Sequence, residues 1–246
     1  MKNQVISLYD YTGEALRPWA EAGYECFAYD IQHKMYNRRE VVGSGSITYS
    51  HADLYKKQTL MDILVRHGAN NVAFLSAFPP CTDLASAGAP SWSKKAEVNP
   101  HFQTDAAGRL KDCAILAEAF QCPFYIENPN GAVPRLWRKP DFRFDPYQYG
   151  GYLPDEDEHP IFPEIIPPRD AYRKRTCLWT GCGFRMPEPR PVEYENVKCI
   201  PKNPLKGENY SPVHAKTGGK SLRTKNIRSA TPRGFAKAVY EENHVQ

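Results

Sequence analysis

Residues 71–81 read Asn71-Val72-Ala73-Phe74-Leu75-Ser76-Ala77-Phe78-Pro79-Pro80-Cys81. A short apolar run bounded by turn residues is the pattern of a strand buried on both faces, as in the interior of a parallel sheet. The two prolines remove two backbone donors and restrict φ, so the chain leaves the strand as a stiff turn that holds the thiol in one pose. A single cysteine is most often a small buried hydrophobe. One placed behind Pro-Pro at a strand end is a candidate for chemistry.

Working outward from this run, strands and helices alternate. Upstream, Val5 to Tyr9 is apolar and is followed at once by Thr12-Gly13. Ala15 to Ala22 is expected to be helical, with Leu16, Trp19 and Ala20 on one face and Gly23 ending it. Cys26 to Tyr29 is a second strand closed by Asp30. Ile47-Thr48-Tyr49 is a weak third strand leading to Asp53, and Leu60 to His67 is helical. Downstream, Thr104 is expected to cap a helix over Asp105–Phe120 that buries Leu110, Cys113, Ala117 and Phe120. Pro123 to Ile126 is a further strand, ending at Glu127-Asn128-Pro129. This series predicts an α/β fold with a doubly wound, mostly parallel sheet. In such sheets ligands bind at the carboxyl ends of the strands. Those ends carry Thr12-Gly13, Asp30, Asp53, Pro79-Pro80-Cys81 and Glu127. After Gly131 the alternation stops. Thr176 to Trp179 is one last clear strand, and Pro232 to Asn243 is a closing helix, expected to be capped by Thr231 with proline at its first position.

Composition limits the function classes. The chain has 246 residues, 41% of them hydrophobic, which suits one domain of ordinary size. No apolar run approaches a membrane span, and Met1-Lys2-Asn3-Gln4 is not expected to be a signal sequence. The 22 prolines argue against a helical bundle. Seven cysteines without a C-x-x-C pair read as reduced thiols in a cytoplasmic protein. Cys177 and Cys182 have no second pair, so no metal is expected. Net charge is +4, but nine cations between Asn196 and Arg233 face only Glu208. That stretch is net +8 and the remainder −4, while Asp155-Glu156-Asp157-Glu158 forms an acidic run ahead of it. A basic segment of this kind suits a phosphate-tracking surface.

Pro79-Pro80-Cys81, Glu127-Asn128-Pro129 and Arg173-Lys174-Arg175 occur in the order seen in DNA cytosine-5 methyltransferases, and the chain resembles a compact, bacteriophage-type branch of that family from about Val5 to Asn243. The resemblance implies a Rossmann-like methyltransferase sheet with S-adenosylmethionine as cofactor. It implies Cys81 as nucleophile, Glu127 as the residue contacting the cytosine, and Arg173 and Arg175 as the groups holding the base. Pro80 and Asn128 belong to the same motifs and are expected at the substrate. For the cofactor, Tyr9, Thr12 and Gly13 stand where the family has a three-glycine turn, of which only Gly13 remains. Asp30 matches the residue at the ribose hydroxyls and Asp53 the one near the adenine amino group. Trp19 is expected to pack inside. Arg228-Ser229-Ala230-Thr231-Pro232-Arg233 matches the penultimate motif, and the final motif has no clean counterpart.

The resemblance divides the chain into a catalytic domain, 1–180 and 227–246, and a reduced recognition region, 181–226. Pro212-Val213-His214 and Gly218-Gly219 are expected as loop apices. Lys216, Lys220, Arg223, Lys225 and Arg228 are expected at DNA phosphates, which supply affinity without sequence information. A short or relaxed target, a monomer, and a location in the cytoplasm (the host's, if phage-encoded) are expected. Two alternatives remain open: the same chemistry on RNA or a free nucleotide, and a non-catalytic nucleic-acid-binding relative. Binding alone needs no thiol. Adenine N-methylation is disfavoured, because its motif has an aromatic where Cys81 stands.

Overall fold

The computed structural model describes residues 2–194, 197–198, 209–217 and 221–244. β1 (Gln4–Leu8), α1 (Arg17–Glu21) and β2 (Glu25–Asp30) are followed by a hairpin of β3 (Arg38–Val42) and β4 (Gly45–His51). Next come α2 (Lys57–His67), β5 (Val72–Ala77), α3 (Trp92–Val98), α4 (Phe102–Phe120), β6 (Phe124–Pro129) and α5 (Val133–Leu136). β7 (Phe142–Phe144) and β8 (Thr176–Gly181) complete the main sheet. A small ribbon of β9 (Val197–Lys198) and β10 (Asn209–Tyr210) precedes α6 (Pro212–Lys216), α7 (Leu222–Ser229) and α8 (Arg233–Asn243).

The sheet has the order β3-β4-β2-β1-β5-β6-β8-β7. Its centre, β4-β2-β1-β5-β6, is parallel, with antiparallel strands at both margins. Alternate side chains feed two cores. Ile6, Leu8, Leu75, Ile126 and Trp179 pack against α2 and α4 on one face. Val5, Ala28, Phe74, Tyr125 and Leu178 pack against α1 and α8 on the other. Helix α1 has only five residues, too few to persist alone, and is held by burial of Leu16, Trp19 and Ala20. Trp19 is 1% exposed and packs on Phe74 with ring centroids 5.0 Å apart, as expected. Among the described residues no helix is long and apolar enough to cross a membrane.

Two local expectations need correction, and one strand was unforeseen. Helix α4 begins at Phe102, so Thr104 lies inside it and does not cap it. Helix α8 begins at Arg233 with Pro232 at the cap position, and Thr231 makes no capping bond. Instead Asp170, distant in sequence, accepts a hydrogen bond at 2.9 Å from the Gly234 N–H in the first turn. Strand β3 was not anticipated, because Arg38-Arg39-Glu40 shows no apolar alternation. It lies on the sheet edge, where Glu40 accepts bonds from Arg17 and from the Tyr49 hydroxyl.

The described part of the 181–226 region divides in two. Phe184 and Met186 pack into the second core, the Arg185 N–H donates to Asn243 and the Val192 N–H to the Tyr147 carbonyl, so this segment straps α8 to the sheet domain. Helices α6 and α7 build a separate small cluster in which Val213 and Ile227 meet Phe162, Ile166 and Tyr172. Pro212-Val213-His214 is therefore helical with Val213 buried, not a loop apex. Gly218 and Gly219 lie outside the described residues.

Candidate active site

The order of the sheet creates a switch point. From β1 the chain winds outward to β2 and β4, then returns to β5 on the other side of β1. The crevice beyond the carboxyl ends of β1 and β5 is where ligands of doubly wound sheets sit. Register sets the strand ends level: Leu8 lies beside Tyr29 and Ala77, and Ala77 beside Ile126. The next residues along, Tyr9, Asp30, Phe78 and Glu127, therefore form one row.

After β1 the backbone turns sharply, with positive φ at Tyr9 (57°) and Gly13 (74°). Asp10, which the sequence reading passed over, organises the turn. Its carboxylate accepts from the Gly13 N–H at 2.8 Å and from Ser7 at 2.8 Å, and Ser76 donates to Ser7 at 2.9 Å. This run of hydrogen bonds explains two serines buried within strands. Burial pushes the Asp10 carboxyl up, against the Gly13 and Ser7 hydrogen bonds. A Cβ on Gly13 would lie 2.7 Å from the Tyr49 hydroxyl oxygen, so only glycine fits there. Thr12 donates to Asp10 at 3.3 Å. The Tyr9 hydroxyl donates to the Leu54 carbonyl at 2.9 Å and so anchors the turn without facing the crevice.

Asp30 ends β2 almost buried, accepts from the Gln32 N–H at 2.7 Å, and has its carboxyl raised by burial. Ile31 beside it is 52% exposed, an apolar surface at the sheet's carboxyl edge that the sequence reading missed. Asp53 follows β4 and pairs with Lys56 at 3.3 Å.

Cys81 lies half-buried at the end of β5. The Leu84 and Ala85 N–H groups donate to its carbonyl, and the buried Asn128 amide donates to the Pro79 carbonyl at 2.8 Å. Asn128 thus fixes the Pro-Pro turn. It pairs with Cys177 and lies on the opposite face from Glu127, so it is not placed to meet a ligand alongside Glu127. Pro80 is half-buried in the turn itself.

Glu127 faces a small pocket lined by Phe78, Tyr125, Phe144, Lys174, Thr176, Thr231, Pro232 and Phe235. Its Oε1 is buried without a hydrogen-bond partner among the described residues. Burial raises its carboxyl, and Lys174 opposes this. The Cys81 thiol is likewise raised by burial and by Glu127, and lowered by Lys174 and Arg228.

The two arginines expected at this pocket do not reach it. Arg173 is exposed, its guanidinium 5.9 Å from the Tyr194 ring, and Arg175 is paired with Asp145 at 3.4 Å. The cause is strand parity. β8 runs antiparallel to β6, with Leu178 opposite Glu127 and Thr176 opposite Pro129. Continuing the alternation past Thr176 puts Lys174 on the face of Glu127 and the flanking arginines on the other. Lys174 Nζ is 4.0 Å from Glu127 Oε1.

The expected phosphate contacts are unequal. Arg228, on α7, is exposed, and its charge bears on Cys81. Lys225 is exposed on the same helix. Arg223 is paired with Glu164, and Lys216 donates to the Glu164 carbonyl at 2.7 Å. Lys220 lies outside the described residues. Arg233, counted in the basic stretch, is committed to the fold: it pairs with Asp157 at 2.7 Å and lies 3.6 Å from the buried Glu14. Half of the acidic run is engaged likewise, since Asp155 pairs with Arg169. The described cysteines are all free, and no group of three or more His, Cys, Asp or Glu among the described residues is placed to hold a metal ion.

No family model and no curated protein matches this chain. Among solved structures, it is similar to one described as a candidate DNA modification methyltransferase encoded within an E. coli prophage. The identity is 14% and the TM-score 0.40, over 72% of this chain and 46% of that one. The chain thus spans less than half of that neighbour's length.

Proposed function

We propose that this protein methylates C5 of cytosine in DNA, using S-adenosylmethionine and a covalent adduct on Cys81. The observation that carries this reading is the grouping past the carboxyl ends of β5 and β6: the Cys81 thiol behind two prolines, the buried Glu127 carboxyl with an oxygen unpartnered among the described residues, and Lys174 4.0 Å from that oxygen. Binding alone needs no such thiol.

The crevice suits the cofactor, because Asp10 holds the turn after β1 tight at the switch point and Asp30 ends β2 beside it. Thr12 and Gly13 would hold its amino-acid end, Asp30 the ribose hydroxyls and Asp53 the adenine amino group, with Ile31 offering apolar surface. When bound, S-adenosylmethionine supplies an electrophilic methyl group.

The chain's own residues act on the base. C5 of cytosine is a poor nucleophile until something adds at C6. The Cys81 thiolate forms the S–C6 bond, the C5=C6 pair shifts toward C4, and the C4=N3 pair moves onto N3. N3 takes the proton of Glu127, leaving a neutral enamine with electron density at C5. Burial favours the protonated Glu127 this step requires. At the end C5 loses its proton to solvent, the S–C6 pair returns to the thiol, and Glu127 recovers its proton from N3. A stacked base cannot reach this site, so the cytosine must flip out, costing a few kcal/mol. Lys225 and Arg228 would meet phosphates, and the reduced recognition region, 181–226, suits a short target.

DNA carrying 5-fluorocytosine tests the reading, since fluorine cannot leave as a proton and the adduct accumulates. The wild type should form a denaturant-resistant complex with cofactor present, and Cys81→Ser none. An equal yield from both, or no adduct with DNA while dCMP or tRNA reacts, overturns it.

A further inference from the structure

We propose that Lys174, and neither neighbouring arginine, is the cationic donor to the ring edge of the cytosine. The assignment rests on the C5-methylation reading above and goes beyond it, because the motif resemblance directs attention to the arginines.

Two independent features place Lys174. The first is register. Glu127 pairs with Leu178 and Phe144 pairs with Thr176, and all four side chains belong to the face that carries the pocket and the second core. Counting back from Thr176 in steps of two reaches Lys174 and passes over Arg175 and Arg173. The Thr176 hydroxyl also donates to the Lys174 carbonyl at 2.9 Å, fixing the backbone where the strand begins. The second is spacing. Nζ of Lys174 and Oε1 of Glu127 are 4.0 Å apart, beyond hydrogen-bond reach, and Oε1 is buried without a partner among the described residues. A cation and a carboxyl side by side but not bonded to each other can together meet a third group that accepts from one and bonds the other. Cytosine presents such a pair on adjacent atoms, O2 as acceptor and N3 as the atom taking the proton. With Lys174 on O2, negative charge developing on the ring as the thiolate adds meets a fixed donor. Arg175 is held away by Asp145, and Arg173 lies toward Tyr194.

Exchange of the C5 hydrogen with deuterated solvent tests this without cofactor. Cys81 adds to C6, N3 takes the Glu127 proton, C5 takes a deuteron from solvent and then releases its original proton as the thiolate leaves, and Glu127 recovers its proton from N3. Lys174→Met should lower the exchange rate on DNA about 100-fold or more, the loss expected for one donor to a developing charge. Added methylammonium should restore part of it, a rescue that a merely structural lysine would not show. Arg173→Gln/Arg175→Gln should exchange within about threefold of wild type. The assignment is overturned if the double arginine variant loses exchange while Lys174→Met stays near wild type, or if methylammonium restores nothing to a folded Lys174→Met. A wild type without Cys81-dependent exchange or adduct overturns the parent reading, and the assignment with it. The wild-type arm therefore separates the two failures.

Discussion

Glu127 and Cys81 need opposite protonation states for the proposed chemistry, and their surroundings push both groups the same way. Burial raises the carboxyl, which favours the acid form needed at N3, and it also raises the thiol, which disfavours the thiolate. The acid form is lost as pH climbs through the Glu127 pKa, while the thiolate grows as pH climbs toward that of Cys81. The rate of adduct formation should therefore be bell-shaped in pH. In Glu127→Gln the carboxyl titration is gone, so the rate should only rise with pH, from a maximum lowered by about 100-fold. A profile that stays bell-shaped in the variant would remove Glu127 from the role. At this scale the motif residues Cys81 and Glu127 were legible in the sequence, and Asp10 left a readable signal in Asp10-x-Thr12-Gly13. Lys174 was not legible, because nothing local separates it from the arginines on either side.

Among the elements, strand β8 and helix α8 show what a chain pattern leaves undecided. The apolar run of β8 was readable, but its direction and register against β6 were not; the direction brings Arg173-Lys174-Arg175 to the Glu127 end and the register decides which of them meets Glu127. Helix α8 was readable from its apolar face, yet its first turn is satisfied by Asp170, some sixty residues earlier in the chain. Burial raises the Asp170 carboxyl to about 7, with the Gly234 N–H and Arg233 opposing. Since the folded state holds this proton more tightly than the unfolded chain, the group's contribution is complete below about pH 4 and is lost as pH rises toward 7. Asp170→Asn keeps an acceptor for Gly234 without the ionisation. Its stability relative to wild type should therefore rise by a few kcal/mol between pH 4.5 and pH 8 in urea denaturation. A constant difference would mean that Asp170 titrates normally in the folded protein.

At the scale of the whole molecule, part of the charge behind the +8 of the basic stretch is committed to partners among the described residues. Arg233 ties α8 to the acidic loop and to Glu14, and Arg223 and Lys216 are engaged at Glu164, which leaves Lys225 and Arg228 as the cations of α7 without an ion pair among the described residues. Each phosphate contact contributes about 0.9 to the slope of log affinity against log salt. Lys225→Gln should lower that slope by about 1, and Arg223→Gln by less, because Glu164 already neutralises it. Arg233→Gln should leave the slope unchanged while destabilising the fold by roughly 3 kcal/mol, as breaking a buried ion pair does. Titrations of duplex DNA at several salt concentrations, beside thermal melts, separate these outcomes; equal slope changes at all three positions would contradict the pairing.

By itself the amino-acid sequence determined the alternation of strands and helices, the buried faces of α1 and α4, and the residues that end each strand. These are short-range properties: apolar period, turn chemistry and the stiffness of Pro79-Pro80 act within a few residues of chain. The tertiary structure alone decided which strand ends lie together, that Asn128 faces away from Glu127 and fixes the Pro79 carbonyl, and that Lys174 reaches the pocket. Strand order and register depend on contacts between residues far apart in the chain, and in a sheet a shift of one residue exchanges the faces on which every side chain stands.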